Sequence, residues 1–227
     1  MSYWATVPEM EPFDELKLSL LWRERWTAAG WEPFVLNEWH ARQHPMFSEF
    51  DRAISALPAV NPFLYERACF LRWMALAKIG GGFMSDFDLI PYPSKETEIH
   101  TLIVKDCDPI DYLGDVRLLE GRLQMFQRVS PSLVQASKEV CEQLCIQMMS
   151  GQFGKRDING RTHFSDMYAI DDIGLKFPDL IERHDIVKGY ADDHWETAPF
   201  VHWSNGSMSP RGKTPRYKHI PLLRPFT

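Results

Sequence analysis

The segment from Arg72 to Pro91 constrains the fold more than any other part of this 227-residue chain. The helix that leads into it has apolar residues at helical spacing, which are Ala68, Leu71, Ala75 and Ile79. Three glycines at 80–82 then end the helix, because glycine turns left-handed without a steric penalty. The stretch Phe83–Ile90 is mostly apolar and short, so the sequence predicts a buried strand after the glycines.

Asp86 and Asp88 are the unusual residues of this predicted strand. Strand residues two apart point to the same face, about 6–7 Å from each other. Two neighbouring carboxylates in a mostly buried setting repel each other and are costly to desolvate unless a cation lies between them. An octahedral Mn²⁺ or Mg²⁺ ion removes that cost and keeps positions open for phosphate oxygens. The alternative is a solvated strand end, since Asp-x-Asp is common by chance.

The surrounding pattern resembles the glycosyltransferases of the GT-A fold. Arg-x-x-x-Leu-x-x-x-Gly-Gly before Asp-x-Asp is similar to the group of capsular-polysaccharide transferases, initiating mannosyltransferases and glucosylating clostridial toxins. The matching residues are Arg72, Gly81, Gly82, Asp86 and Asp88. The resemblance implies that Arg72 and Gly82 lie near a nucleotide sugar. It also implies that Asp88 binds the metal, while Asp86 shares the metal and contacts the ribose or the sugar.

The chain departs from that group at two positions. Cys69 stands where many members have an aspartate that binds a sugar hydroxyl, and Met84 stands where many have an aromatic residue. The resemblance still implies one GT-A (Rossmann-like) α/β domain over residues 1–227, with a mixed, mostly parallel central sheet flanked by helices. The strand–helix–strand pattern at the start of the chain agrees with such a sheet.

The GT-A topology places further residues near the donor. Ligands of parallel sheets bind outside the carboxyl ends of the strands. The first predicted strand, Ser2–Val7, therefore makes Ala5, Thr6 and Val7 neighbours of the base and ribose. The alternative is an edge strand followed by an ordinary loop.

The C-terminal part resembles the last loop of metal-dependent retaining transferases. A short apolar strand ends at His202, and a glycine, serines, Arg211 and Lys213 follow. The resemblance implies that His202 completes the metal shell and that Lys213 or Arg211 neutralises the departing diphosphate. Neutral imidazole suits Mn²⁺ better than Mg²⁺. A packed histidine beside a tryptophan is the alternative.

Asp166 lies at the predicted start of a helix, where acids are usually caps. In GT-A enzymes a carboxylate at such a place often faces the acceptor hydroxyl, so Asp166 is also a candidate catalytic base.

Two further patterns in the sequence predict helices. Residues 13–29 predict a helix whose apolar stripe has Leu16, Leu20 and Trp26, with Leu18 and Trp22 nearby, and residues 130–149 predict another helix.

Composition narrows the classes of protein. A hydrophobic fraction of 44% is enough for a sizeable core, and a net charge of −6 argues against nucleic acid as the main partner. The sequence has no run of 18 apolar residues and no signal pattern, so it predicts a cytoplasmic protein without a transmembrane segment, unless an anchor was trimmed from the chain.

The sequence thus predicts a metal-dependent glycosyltransferase that moves a hexose-type sugar from a UDP- or GDP-sugar to a hydroxyl of a glycan or other acceptor. The resemblance implies that the reaction retains the anomeric configuration. A non-catalytic relative that binds nucleotide sugar is one alternative. A phosphohydrolase with Asp86 as nucleophile and Asp88 as acid is another. Such enzymes carry Asp-x-Asp on their first strand, whereas here it lies in mid-chain.

Overall fold

A computed structural model describes residues 1–5, 12–91, 121–190, 192 and 198–204, with the side chains of 12–14 excepted. The predictions at Thr6, Val7, Arg211 and Lys213 lie outside these residues. The chain divides into two compact units. The first unit comprises Met1–Glu9, Phe34–Ser85 and Leu119–His184, and the second comprises Met10–Pro33, Asp86–Leu118 and Asp185–Thr227. The single-domain assignment stays a prediction.

The described residues contain helices and strands in a mixed α/β arrangement. The helices are α1 (Pro12–Ala28), α2 (Glu38–Arg42), α3 (Phe47–Ser55), α4 (Phe63–Lys78), α5 (Lys138–Met149) and α6 (Asp166–Lys176). The strands are β1 (Ser2–Trp4), β2 (Val35–Asn37), β3 (Gly81–Ser85), β4 (Leu89–Pro91), β5 (Leu123–Met125), β6 (Leu133–Ser137), β7 (Lys155–Ile158), β8 (Arg161–Phe164), β9 (Ile181–Arg183), β10 (Val187–Gly189) and β11 (Phe200–His202). No helix in the described ranges combines the length and the hydropathy needed to cross a bilayer.

The first unit is organised around a sheet with the strand order β3-β6-β5-β9. Strand β6 pairs antiparallel with both β3 and β5, and β5 pairs parallel with β9. Strands β1 and β2 form a parallel pair, and the Ser85 N–H donates to the Met1 carbonyl over 2.7 Å. Helix α4 packs on α5 and is buried without a break from Phe70 to Ala77, so it is the centre of the core.

The second unit has a three-stranded sheet with the order β10-β11-β4. Strand β11 is parallel to β10 and antiparallel to β4. Helix α1 packs against β4 through aromatic residues, since the Trp26 indole donates to the Leu89 carbonyl over 3.1 Å and stacks on Phe200. Trp22 meets Phe87 edge-on at 5.4 Å. This packing anchors Phe87 and Leu89, the two neighbours of Asp88 in the sequence.

The structure corrects three structural predictions. Among the described residues the strands form separate sheets with parallel and antiparallel pairings, rather than one mostly parallel sheet. Helix α1 buries Leu18, Trp22 and Trp26, while Leu16 and Leu20 are exposed, because the bulkiest rings take the inward face. Residues 133–137, predicted as helix, form a central strand because they pair on both sides and are all buried.

Candidate metal centre

The sequence predicts that Asp86 and Asp88 lie within a strand, but in the structure they lie in a turn. Strand β3 ends at Ser85, and β4 begins at Leu89. The Leu89 N–H donates to the Asp86 carbonyl over 3.1 Å, which closes a turn of four residues. Phe87 is buried in this turn, and so the two acids lie on either side of an apolar anchor. A turn brings the carboxylates closer than an extended strand would.

The structure brings Asp86, Asp88 and His202 together; we call these three residues the turn site. One ligand atom from each lies within 4.8 Å of the others. The His202 Nε2 atom is 3.3 Å from Asp88 Oδ1 and 3.9 Å from Asp86 Oδ2. Asp88 and His202 are buried, whereas the Asp86 side chain is 32% exposed. The site therefore opens to solvent on the Asp86 side.

The strands of the second unit hold His202 in place. In the sheet His202 pairs with Leu89 of β4 and with Gly189 of β10. The N–H of Trp203 donates to the Asp88 carbonyl over 2.8 Å, and the N–H of Tyr190 donates to the His202 carbonyl over 3.1 Å. Backbone hydrogen bonds thus fix the imidazole relative to the acids on both sides, which is the preorganisation that a ligand site needs.

The glycines before the turn have a steric reason. Gly81 has a φ of +91°, and a Cβ atom there would lie 2.4 Å from the Ala136 carbonyl oxygen. Gly82 has a φ of +124°, and its Cβ would meet the end of the Met1 side chain at 2.6 Å. Both positions require glycine for the backbone to pass so close to its neighbours. The nucleotide-sugar role predicted for Gly82 stays a prediction.

Arg72 and Asp166, predicted to act on donor and acceptor, are bonded to each other in the first unit. The Asp166 Oδ2 atom accepts from Arg72 Nε at 2.9 Å, from Arg72 Nη2 at 2.6 Å and from Trp73 Nε1 at 2.9 Å. Both charged side chains are buried. Ser165 caps α6 through the Tyr168 N–H, so Asp166 is the first helical residue rather than the cap. Their catalytic roles stay predictions.

Two buried titratable residues beside this pair were missed by the sequence analysis. Glu66 accepts from the Asn61 side chain and lies 3.7 Å from His163 Nε2. Burial raises the pKa of Glu66 to about 7 and lowers the pKa of His163. A signal was present, because Glu66 and Trp73 are seven residues apart and therefore share the inner face of α4.

The remaining predicted residue within the described ranges is Ala5. It follows the end of β1 and is half-buried. Strand β1 pairs in register with β2, so that Trp4 lies opposite Asn37. The carboxyl ends of these two parallel strands therefore lie side by side, as the prediction of a base and ribose site requires. That site stays a prediction.

Comparisons with known proteins give information on the fold of this chain. Residues 9–110 match a family model described as a domain of unknown function (DUF8765). No curated protein has significant sequence similarity to this chain. Among solved structures, the chain is similar to the crystal structure of a glycosyltransferase involved in the glycosylation of the major capsid of PBCV-1. The identity is 15%, the TM-score is 0.50, and the alignment covers 97% of each chain. The fold of the chain is thus similar to that of a glycosyltransferase.

Proposed function

We propose that this chain is a metal-dependent glycosyltransferase that moves a sugar from a UDP- or GDP-sugar to a hydroxyl group of a glycan or other acceptor. The observation that carries the proposal is the convergence of Asp86, Asp88 and His202 within 4.8 Å. The likeness in fold to a glycosyltransferase supports it. The pattern of Arg72, two glycines and Asp-x-Asp supports it independently.

The residues of the turn site fit a divalent cation. In an octahedral shell with bonds of about 2.1 Å, adjacent ligand atoms lie about 3.0 Å apart and opposite ones about 4.2 Å apart. The distances of 3.3 and 3.9 Å from His202 Nε2 to the two carboxylates fall in this range. Two carboxylates and one imidazole suit Mn²⁺, with Mg²⁺ as the alternative. When bound, the ion would act as a Lewis acid on the diphosphate.

The chain's own residues have separate roles in this proposal. Asp88 and His202 hold the buried side of the site, and Asp86, on its open side, also contacts the ribose or sugar. Arg72 orients the donor, and Lys213 or Arg211 neutralises the leaving diphosphate. We favour retention because the resemblance to retaining transferases implies it and because Arg72 and Trp73 hold Asp166 in a buried ion pair. An inverting enzyme would need Asp166 as its base.

The test is a thermal-shift panel of UDP- and GDP-sugars with and without Mn²⁺. A ligand at a hundredfold excess over its Kd stabilises the folded protein by about 2.7 kcal/mol. We expect one class of nucleotide sugar to raise the Tm only when Mn²⁺ is present. The variant Asp88→Ala should lose this shift. Asp185→Ala is the matched control, because Asp185 is an exposed acid of the same unit that pairs with Lys188.

A donor-hydrolysis assay with the same nucleotide sugar separates an enzyme from a binding protein. Slow release of free sugar that requires Mn²⁺ and Asp88 is the expected result. Metal-dependent binding without release of sugar would favour a non-catalytic relative. Absence of any nucleotide-dependent shift at millimolar Mn²⁺ would reject the proposal.

A further inference from the structure

A row of four side chains crosses the main sheet of the first unit on the face opposite the helices. Phe83 pairs with Gln135, Gln135 pairs with Gln124, and Gln124 pairs with Glu182. Directly paired residues of neighbouring strands project to the same face of a sheet. The residues that flank them in each strand belong to the hydrophobic core, as Met84, Val134 and Met125 show. We call these four residues the glutamine row.

One half of the row is a fixed hydrogen-bonded chain. The His184 Nε2 atom donates to Gln124 Oε1 at 2.6 Å, and Gln124 Nε2 donates to Glu182 Oε2 at 2.9 Å. Both ends of the Gln124 amide are thus engaged, and its orientation is set. The Glu182 side chain remains 43% exposed. It therefore presents a held carboxylate to solvent at one end of the row.

Gln135, in the other half of the glutamine row, is not held by hydrogen bonds in this way. It is only 9% exposed, yet within the described part of the chain its amide forms no hydrogen bond. Neither polar atom of the Gln135 side chain is completely shut off from solvent, so the amide keeps some access to it. A ligand at the row can therefore take up its hydrogen-bonding groups without displacing another side chain. The amide offers one acceptor and two donor hydrogens side by side.

Aromatic rings adjoin the amides. The ring of Phe83 stacks on Phe126 with centroids 5.8 Å apart, and Phe126 stacks on His184 at 5.3 Å. Phe126 is fully buried, whereas Phe83 and His184 are half-buried. The negative face of an aromatic ring attracts the polarised C–H groups of a sugar, and amides and carboxylates bind its hydroxyls. The glutamine row has both kinds of group within one surface.

We propose that the glutamine row binds a pyranose ring of the saccharide acceptor. This inference rests on the proposed transferase function and adds the class of acceptor and the residues that hold it. The Gln135 amide and the Glu182 carboxylate bind hydroxyls, and Phe83 supports the ring. Phe83 and Asp86 are three positions apart in the sequence, so the covalent chain alone limits the distance between their Cα atoms to about 11 Å.

The experiment is saturation-transfer NMR with a panel of methyl glycosides of glucose, galactose, mannose, fucose and rhamnose. We expect transfer to at least one of these sugars in the wild type and at least a fivefold loss in Gln135→Met, which keeps the volume and removes the amide. Phe83→Leu should lose it as well. Gln143→Met is the matched control, because Gln143 is exposed on α5.

Two further arms separate this inference from the function on which it rests. Asp88→Ala should keep the transfer to methyl glycosides and lose the Mn²⁺-dependent nucleotide shift, while Gln135→Met should do the reverse. Transfer to no glycoside, or transfer that survives in a folded Gln135→Met, overturns the inference. If only the sugar protons of a nucleotide sugar respond to Gln135→Met, the row binds the donor and the acceptor assignment is wrong.

Discussion

Two places in this molecule bring two acids to one nitrogen-bearing side chain, and they differ in the charge at the centre. In the first unit, Arg67 donates to Glu38 at 2.8 Å and to Asp51 at 2.7 Å. In the second unit, Asp86 and Asp88 face the Nε2 atom of His202. The arginine carries a permanent charge and five donors, whereas the Nε2 atom of a neutral imidazole offers either one N–H or one lone pair.

The difference shows which pair of acids is structural. Hydrogen bonds from Arg67, and also from Arg42, lower the pKa of Glu38 to about 2, so the protein itself supplies two guanidinium groups for the carboxylates of Glu38 and Asp51 at every physiological pH. A neutral imidazole leaves its lone pair for an ion, and two adjacent carboxylates favour a divalent one. The Arg67 network therefore stabilises the fold, and the turn site is suited to an exchangeable cation.

The largest effect is expected when the turn site is converted into a copy of the Arg67 network. His202→Lys places a fixed cation beside Asp86 and Asp88 and should abolish the Mn²⁺-dependent shift. Transferase turnover should fall about 100-fold, because a ligand is lost and the ion is repelled. His202→Gln is the matched control: it keeps a neutral ligand atom and should retain part of the shift. An unchanged response to Mn²⁺ in His202→Lys would show that a fixed cation at position 202 does not prevent metal binding, so the proposed difference between the turn site and the Arg67 network would be wrong.

The reverse change removes the permanent cation from the structural network of Arg67, Glu38 and Asp51. Arg67→Met should lower the free energy of unfolding by about 2 kcal/mol in urea at pH 7, less than for a fully buried pair because both acids are partly exposed. The folded-state pKa of Glu38 lies below its ordinary value of 4.5, so this stability is lost as the pH falls from about 4.5 towards 2.

The gap between wild type and Arg67→Met should therefore narrow in acid. The binding of Mn²⁺ should be the same in both proteins at pH 7. A variant that keeps its stability but loses Mn²⁺ would show that Arg67 serves the site rather than the fold.

Glu66 gives a smaller effect, and it shows what happens to a carboxyl group that is buried without a bonded guanidinium. Its folded-state pKa of about 7 exceeds its ordinary value of 4.5, so the stability present below pH 4.5 is lost as the pH rises towards 7. Glu66→Gln should therefore gain on the wild type by about 1 kcal/mol between pH 6 and pH 7. Urea unfolding at both values measures this. A constant difference would mean that Glu66 is ionised throughout.

The sequence predicted the elements whose patterns are local. The helix expected before the glycines is α4, which ends at Lys78, because its apolar spacing and the glycines after it agree. The gathering of the two aspartates with His202, more than a hundred residues later, followed only from the resemblance, since no local pattern encodes it.

The sequence predictions that were wrong concern residues whose structure depends on contacts with distant parts of the chain. Residues 133–137 have helical spacing of their apolar side chains, yet they form β6 because β3 and β5 pair with them from both sides. Ser137 then caps α5 by accepting from the Val140 N–H. The glutamine row depends on the register of four strands, which the sequence of each strand does not specify.

The central claim is that Asp86, Asp88 and His202 hold a divalent cation. Electron paramagnetic resonance of Mn²⁺, titrated with the wild type, Asp88→Ala and Arg67→Met, tests it most directly because the signal of the free ion disappears on binding. The account predicts one bound Mn²⁺ per chain in the wild type and in Arg67→Met, and none in Asp88→Ala. Equal binding to wild type and Asp88→Ala would contradict it.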